Sequence, residues 1–292
     1  MTRIRRTLDE AQPVEQAGFQ RNFSTLDHKI TCCRLIEVAR EYQEPLVLTF
    51  IDYKKAFDSM EPAKVWKAQE VQGAEARYTK VLTEWYSGCT TVFRPFLNDI
   101  KVSVETGVRQ EDPASPNSFS ACLESVIRNC DWDTFGVLID GERLNHLRFA
   151  DDIVLIPSSA DDASEMLRRL DEEGSKAGLT LNMTKTKVMR SAFSSQQPLL
   201  LQGVLLEDVS EYVCLGRLLN MENDIKPEIA RRGTAGWAAY NSIKSVLKDT
   251  KDQELRADLF NSTVLPALCY ASETWALTKI AETQLCSTQI SI

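Results

Sequence analysis

The run LRFADDIVLI at residues 147–156 sets two carboxylates, Asp151 and Asp152, between two apolar arms. Arms of this kind read as strands, and aspartate suits the turn that would join them. The arrangement is costly. Two like charges about 4 Å apart repel by roughly 1 kcal/mol in water and about 4 kcal/mol at an intermediate dielectric. No lysine or arginine follows closely to offset them. A third aspartate, Asp52, closes a second apolar run, Leu46-Val47-Leu48-Thr49-Phe50-Ile51, which Pro45 precedes. Its length and its β-branched and aromatic content predict a buried strand. Each aspartate has an ordinary reading as well: Asp52 could cap a helix beginning at Tyr53, and Asp151-Asp152 could be plain turn chemistry. A divalent cation would convert the repulsion into coordination, and hard oxygen ligands suit Mg²⁺. Two metals on shared carboxylates can activate a hydroxyl and stabilise a leaving phosphate.

The surrounding pattern is mixed. A helix is expected over about 25–41, with Ile30, Leu35, Ile36 and Val38 among its apolar positions. Residues 101–105 alternate as a half-exposed strand does. Ser115-Pro116 reads as a helix start, followed by Phe119, Cys122, Leu123, Val126 and Ile127 at the spacing of one buried face. Asp140-Gly141 predicts a hairpin turn. A further helix is expected over about 160–176, stopped by Gly178. Residues 199–219 read as another β pair. From Asp224 the pattern turns helical, through Ile229, Trp237 and Leu247 and then Leu255 to Val264 before Pro266. The expected division is a sheet-and-helix body up to about residue 220, followed by a helical appendage.

Composition narrows the function classes. Lysine and arginine total 34 against 42 acids, a formal charge of −8, so nucleic-acid binding would need a local basic surface. No apolar run reaches the roughly 18 residues of a membrane span, and the N-terminus lacks a signal-peptide core. The eight cysteines form no CxxC pair, and the two histidines, His28 and His146, stand far apart in sequence. That spacing argues against structural zinc and for reduced thiols in an intracellular protein, nuclear or cytoplasmic.

FIDYKKAFDS, GVRQEDPASP, LRFADDIVLI, GLTLNMTKTKVM and YVCLGRLL occur in the order and spacing of reverse transcriptase motifs. The chain most resembles the enzymes of non-LTR (LINE-type) retrotransposons, and RADLFNSTVLPALCYASETW extends the likeness downstream. The resemblance implies an α+β right-hand polymerase: an antiparallel palm sheet with packed helices and partial fingers over 1–220, and a helical thumb over 221–292. It implies RNA-directed DNA synthesis, with an RNA template, a DNA primer and deoxynucleotides as partners, and two Mg²⁺ ions for which Mn²⁺ could substitute. Asp52, the Tyr53 carbonyl, Asp151 and Asp152 would hold the metals. Phe57 matches the steric gate against a ribose 2′-hydroxyl, although a buried aromatic suits the position equally. Asp58 reads as structural. Arg109 and Gln110 match the motif supporting the nucleotide and template base. Lys185 matches the lysine assisting pyrophosphate departure, with Lys187 a close competitor. Leu215-Gly216 corresponds to the primer-gripping hairpin, and Lys226, Arg231, Arg232, Lys244, Lys248 and Lys251 could give the thumb a basic face.

Two departures qualify the likeness. Glu111 stands where the family has glycine, adding bulk and negative charge near the triphosphate. Only about fourteen residues precede QAGFQRNFST, so the basic fingers residues of the family have no counterpart beyond Arg3, Arg5, Arg6 or Arg21. A fragment or decayed copy is therefore expected. The rival readings are a non-catalytic relic that binds nucleic acid or protein, and a two-metal nucleotide cyclase on a similar palm.

Overall fold

Every residue of Val47–Ile51 is buried, which requires neighbours on both edges and both faces of that strand. In the computed structural model it is the middle of a five-stranded sheet, ordered Glu207–Asp208, Lys187–Arg190, Val47–Ile51, Asp152–Leu155, His146–Phe149. The structure describes residues 2–20, 22–109, 112 and 114–292. Val47–Ile51 pairs antiparallel with Asp152–Leu155, Ile51 lying opposite Ile153, and antiparallel with Lys187–Arg190 on its other side.

The sheet is antiparallel as expected, except at one edge. Glu207–Asp208 runs parallel to Lys187–Arg190. The chain between them makes its own hairpin, Leu200–Leu201 with Val204–Leu205, and returns in the same direction. Ion pairs Lys187–Glu207 and Arg190–Asp208 fasten that edge. Residues 199–219 are thus several short elements rather than one β pair, because Gly203 and Gly216 each turn the chain at positive φ.

Helices Ser115–Asn129 and Ala160–Lys176 build the core against this sheet. Phe119, Leu123, Met166, Leu167 and Leu170 are all fully buried with Ile51, Ile153 and Leu155. Each such side chain contributes roughly 1.5–3 kcal/mol. Ser159 caps the second helix by accepting the Asp162 amide, and Gly178, at φ 84°, ends it. The first starts differently from expectation: Ala114, not Ser115, is the cap residue, and Pro116 lies in the first turn.

Two compact units result. One comprises residues 1–28 and 43–209; the other, 29–42 and 210–292. The second unit contains the hairpin Glu211–Cys214/Arg217–Asn220 and helices Lys226–Asp249, Gln253–Leu268 and Lys279–Ser291. Helix Gln253–Leu268 continues through Pro266, which sits in its last turn, where the cost of a proline is confined. In helix Thr25–Tyr42 the buried face is Cys32, Ile36 and Ala39, whereas Ile30 and Val38 are exposed. Alanine and cysteine, small and weakly apolar, carried too little signal to mark that face.

Candidate active site

Asp52 leaves the central strand at the same end at which Asp152 enters its neighbour. One further step along the register Ile51↔Ile153 sets Asp52 across from Asp152. Asp52 caps no helix: the short helix Ala56–Ser59 begins four residues later, after Lys55 in a left-handed conformation. The strand is instead extended by a bridge between Tyr53 and Leu181. There the Asp52 carbonyl accepts the Asn182 amide at 2.7 Å and the Lys54 amide donates to the Thr180 carbonyl at 2.9 Å. In such a bridge the central residue's own carbonyl stays outside the ladder, which leaves that of Tyr53 free of these bonds.

Asp151 occupies the turn between His146–Phe149 and Asp152–Leu155, beside Ala150 at φ 59°. A left-handed alanine is strained, and strain of this kind persists where the surroundings over-determine it. The constraint comes from residues 15–18. The Arg148 amide donates to the Glu15 carbonyl (2.8 Å), the Ala17 amide donates to the Arg148 carbonyl (2.9 Å), and Gly18 lies directly against Ala150. Beneath the turn the Arg148 side chain is fully buried and ion-paired with Glu124, itself 3% exposed.

Electrostatics mark the same carboxylates. Burial pushes the Asp151 carboxyl above its usual range, and the charge of Asp52 adds to the rise. Asp152 is raised to about 6, by desolvation first and then by the charges of Asp151 and Asp52. The three therefore share one negative field. Asp52 Oδ2 is buried and accepts no hydrogen bond from the described residues, while Oδ1 lies 3.7 Å from the Lys185 ammonium. Among the described residues no three acidic, histidine or cysteine side chains are already gathered as a metal cage. An orphaned carboxylate oxygen and mutually repelling neighbours nonetheless fit a hard divalent cation chemically. Among the described residues, Lys185 is the cation paired with Asp52.

Lys185 also lines an open cavity of about 680 Å³ with Lys54, Lys55, Tyr53, Asn182 and Thr180. Asp58 is the carboxylate on the same lining, so three ammonium groups outnumber it there, which suits a substrate that carries several negative charges. Lys54 and Lys55 were not singled out from the sequence; the available signal was their position two and three residues after Asp52. Lys187 faces the sheet edge and is held by Glu207.

Phe57 is partly buried, stacked on Phe119 with centroids 4.2 Å apart and edge-on to Phe19 at 6.5 Å. Its carbonyl accepts the Val108 amide (2.8 Å), and Asp58 is packed so closely on Gly107 that a β-carbon there would lie 2.7 Å from the Asp58 carbonyl oxygen. Arg109 is engaged elsewhere. Its guanidinium donates to the Trp85 carbonyl (3.2 Å) and the Cys89 sulfur (2.7 Å) and lies over the Trp85 and Tyr86 rings. This places it on a separate cavity of about 1180 Å³ rather than on the one lined by Lys54, Lys55 and Lys185. Gln110, Glu111 and Arg21, with the side chain of Arg3, lie outside the described residues. Arg5 and Arg6 pair with Asp9 and Glu10 on an N-terminal helix.

In the second unit Lys226, Lys244, Lys248 and Lys251 are exposed. Arg231 and Arg232 are not free for phosphates: both are tied to the buried Glu228. No helix is long and apolar enough to cross a membrane among the described residues.

Residues 1–217 match the reverse transcriptase (RNA-dependent DNA polymerase) family. A transposon-derived protein of Caenorhabditis elegans is 40% identical over 158 residues, 53% of this chain and 57% of that protein. The Pol polyprotein of the type-1 retrotransposable element R2 of Popillia japonica is 24% identical over 278 residues, 90% of this chain and 38% of that protein. The chain thus spans only part of the length of these relatives. Among solved structures, apo telomerase from Candida tropicalis superposes with a TM-score of 0.58 at 12% identity, over 99% of this chain and 53% of that one. The same organism's telomerase in complex with a fragment of telomeric RNA gives 0.50 at 12% identity, over 98% and 56%. At such identity the likeness speaks to the fold, a polymerase-type α+β palm. Family match, motif order and strand register agree: the chain belongs to the reverse transcriptase (RNA-dependent DNA polymerase) family.

Proposed function

We propose that this chain is the core of an RNA-directed DNA polymerase, with palm and partial fingers over 1–220 and thumb over 221–292. The observation that carries the reading is the register that sets Asp52 across from Asp152, with Asp151 in the adjoining turn. Asp52, Asp151, Asp152 and the Tyr53 carbonyl would hold two Mg²⁺ ions, which supply charge neutralisation to the attacking hydroxyl and the leaving phosphate. The remaining work falls to the chain itself. Lys54, Lys55 and Lys185 attract and orient a triphosphate at the cavity they line. Phe57, wedged against Phe119, limits the room beside the sugar and so favours deoxynucleotides. Lys185, whose ammonium lies 3.7 Å from Asp52 Oδ1, would supply positive charge and a proton to departing pyrophosphate. Catalysis then rests on positioning and on preorganised charge. A telomerase of similar fold is in complex with a fragment of telomeric RNA, which supports an RNA partner here.

The test is Mg²⁺-dependent extension of a DNA primer on an RNA template by the 292-residue chain, with Asp151→Ala and Glu111→Gly beside it. Extension by the native chain and its loss in Asp151→Ala is the expected result. Extension by Glu111→Gly alone would identify a polymerase disabled at that residue. No extension by either folded protein would overturn the reading in favour of a non-catalytic relic.

A further inference from the structure

In the second unit, the turn of hairpin Glu211–Cys214/Arg217–Asn220 is strained and heavily held. Leu215 (φ 47°) and Gly216 (φ 80°) both lie in the left-handed region, the pattern of a tight two-residue hairpin turn. For leucine that conformation is unfavourable and needs support from outside the turn.

The support is a charged clamp. The Gly216 carbonyl accepts from Arg231 Nη2 at 2.6 Å and also from Arg232 Nη2. Both guanidiniums converge on one carboxylate. Glu228 Oε2 accepts Arg231 Nε (2.8 Å), and Oε1 accepts Arg232 Nε (2.8 Å) and Arg231 Nη2 (2.9 Å). Glu228 Oε2 also accepts the Leu218 amide at 3.0 Å, so the carboxylate grips the hairpin directly as well as through the arginines. The Tyr270 ring closes the other side. A β-carbon on residue 216 would come within 2.6 Å of it, and Arg232 and the buried Lys29 lie 4.6 Å and 4.8 Å from its centroid.

Glu228 is fully buried. Buried ion pairs are weak contributors to stability compared with apolar packing of the same volume, and their best-attested use is to specify one geometry. We infer that Glu228 is a positioning residue for primer engagement: through Arg231, Arg232 and the Leu218 amide it holds the Leu215–Gly216 turn in the one conformation that meets the primer strand. This rests on the polymerase reading and on the assignment of that turn to the primer. It also explains why two arginines that look like phosphate contacts are turned inward.

The 292-residue chain is tested with a fluorescent DNA primer annealed to RNA, by anisotropy and by steady-state extension, alongside hydrogen exchange at the Leu218 amide. Glu228→Gln keeps the shape and removes the charge. It is expected to speed Leu218 exchange and to weaken primer–template affinity by about tenfold, with KM for the deoxynucleotide within about twofold. Tyr270→Leu, at a position 44% exposed, leaves the ion pairs and the fold in place should Glu228→Gln fail to fold. It is expected to weaken primer–template affinity by about threefold on the same scale. Thr234→Ala, exposed on the same helix, is expected to match the native chain. Folded variants that bind primer–template as the native chain does, whether or not Leu218 exchange rises, would overturn the inference and leave the polymerase reading standing. A native chain that neither binds nor extends primer–template would refute the polymerase reading, and the inference with it.

Discussion

Gly18 offers the sharpest test of how the acidic turn is built. A β-carbon at this position would lie 2.3 Å from the Ala150 nitrogen and 3.0 Å from the Phe149 carbonyl carbon. Ordinary contact begins near 3.4 Å, so in Gly18→Ala one backbone must retreat by about 1 Å. Neither neighbour is the tip of a flexible side chain, and Ala150 is already strained at φ 59°. Overpacking of this kind typically costs 1–3 kcal/mol, and two backbone contacts point to the upper part, about 2–3 kcal/mol. For a chain of this size that lowers Tm by about 5–8 °C. The displaced atoms adjoin Asp151, and a misplacement of about 1 Å at reacting groups can cost about 100-fold in rate. Gly18→Ala should therefore lose more activity than its stability loss accounts for. The assay is a thermal melt by circular dichroism with single-turnover primer extension well below Tm. A variant that melts within a degree of the native chain and extends at its rate would show that residues 15–18 do not hold the turn.

Gly174→Ala is expected to do the opposite. That glycine lies within helix Ala160–Lys176, and its β-carbon would meet only ordinary contacts at 3.6–3.8 Å. The gain is about 0.5–1 kcal/mol by helix propensity, read as a higher urea midpoint with unchanged m. Acid should destabilise the fold through its histidines. Burial lowers His28 to about 4, with Asp27 opposing and Arg148 reinforcing the shift, and His146 is held well below its ordinary value by burial and by Arg148. Folded-state values below the unfolded 6.5 mean that the unfolded chain takes up protons first, so stability is present above about pH 6.5 and is lost as pH falls toward 4. His28 alone accounts for about 2 kcal/mol between pH 8 and pH 5. Urea melts at the two values should show that loss in the native chain and a smaller one in His28→Leu; parallel losses would refute the assignment.

The strands around the aspartates were legible because alternating or continuous apolar runs bounded by Pro45, Asp52 and Asp151 leave few alternatives. The helix over Ala160–Lys176 was equally plain, with its Ser159 cap and Gly178 stop. The buried face of Thr25–Tyr42 was not, since Cys32 and Ala39 are weaker markers than the exposed Ile30 and Val38. Among site residues, Lys185 and Lys187 were indistinguishable as exposed lysines two residues apart. Only the strand pairing turns one toward Asp52 and the other toward Glu207. His28 and His146, far apart in sequence, are both lowered by burial and by the charge of Arg148, which no local pattern encodes.

By itself the sequence determined which carboxylates border buried strands, because hydrophobic period and turn chemistry are local properties, and it carried the motif order by which the chain resembles reverse transcriptases. Tertiary structure alone decided which charges meet. It set Asp52 across from Asp152, gave Lys185 to Asp52, closed Gly18 on Ala150, and turned Arg231 and Arg232 inward onto Glu228. Those choices depend on register and on packing between segments distant in the chain, where a shift of one residue would reverse which face every side chain takes.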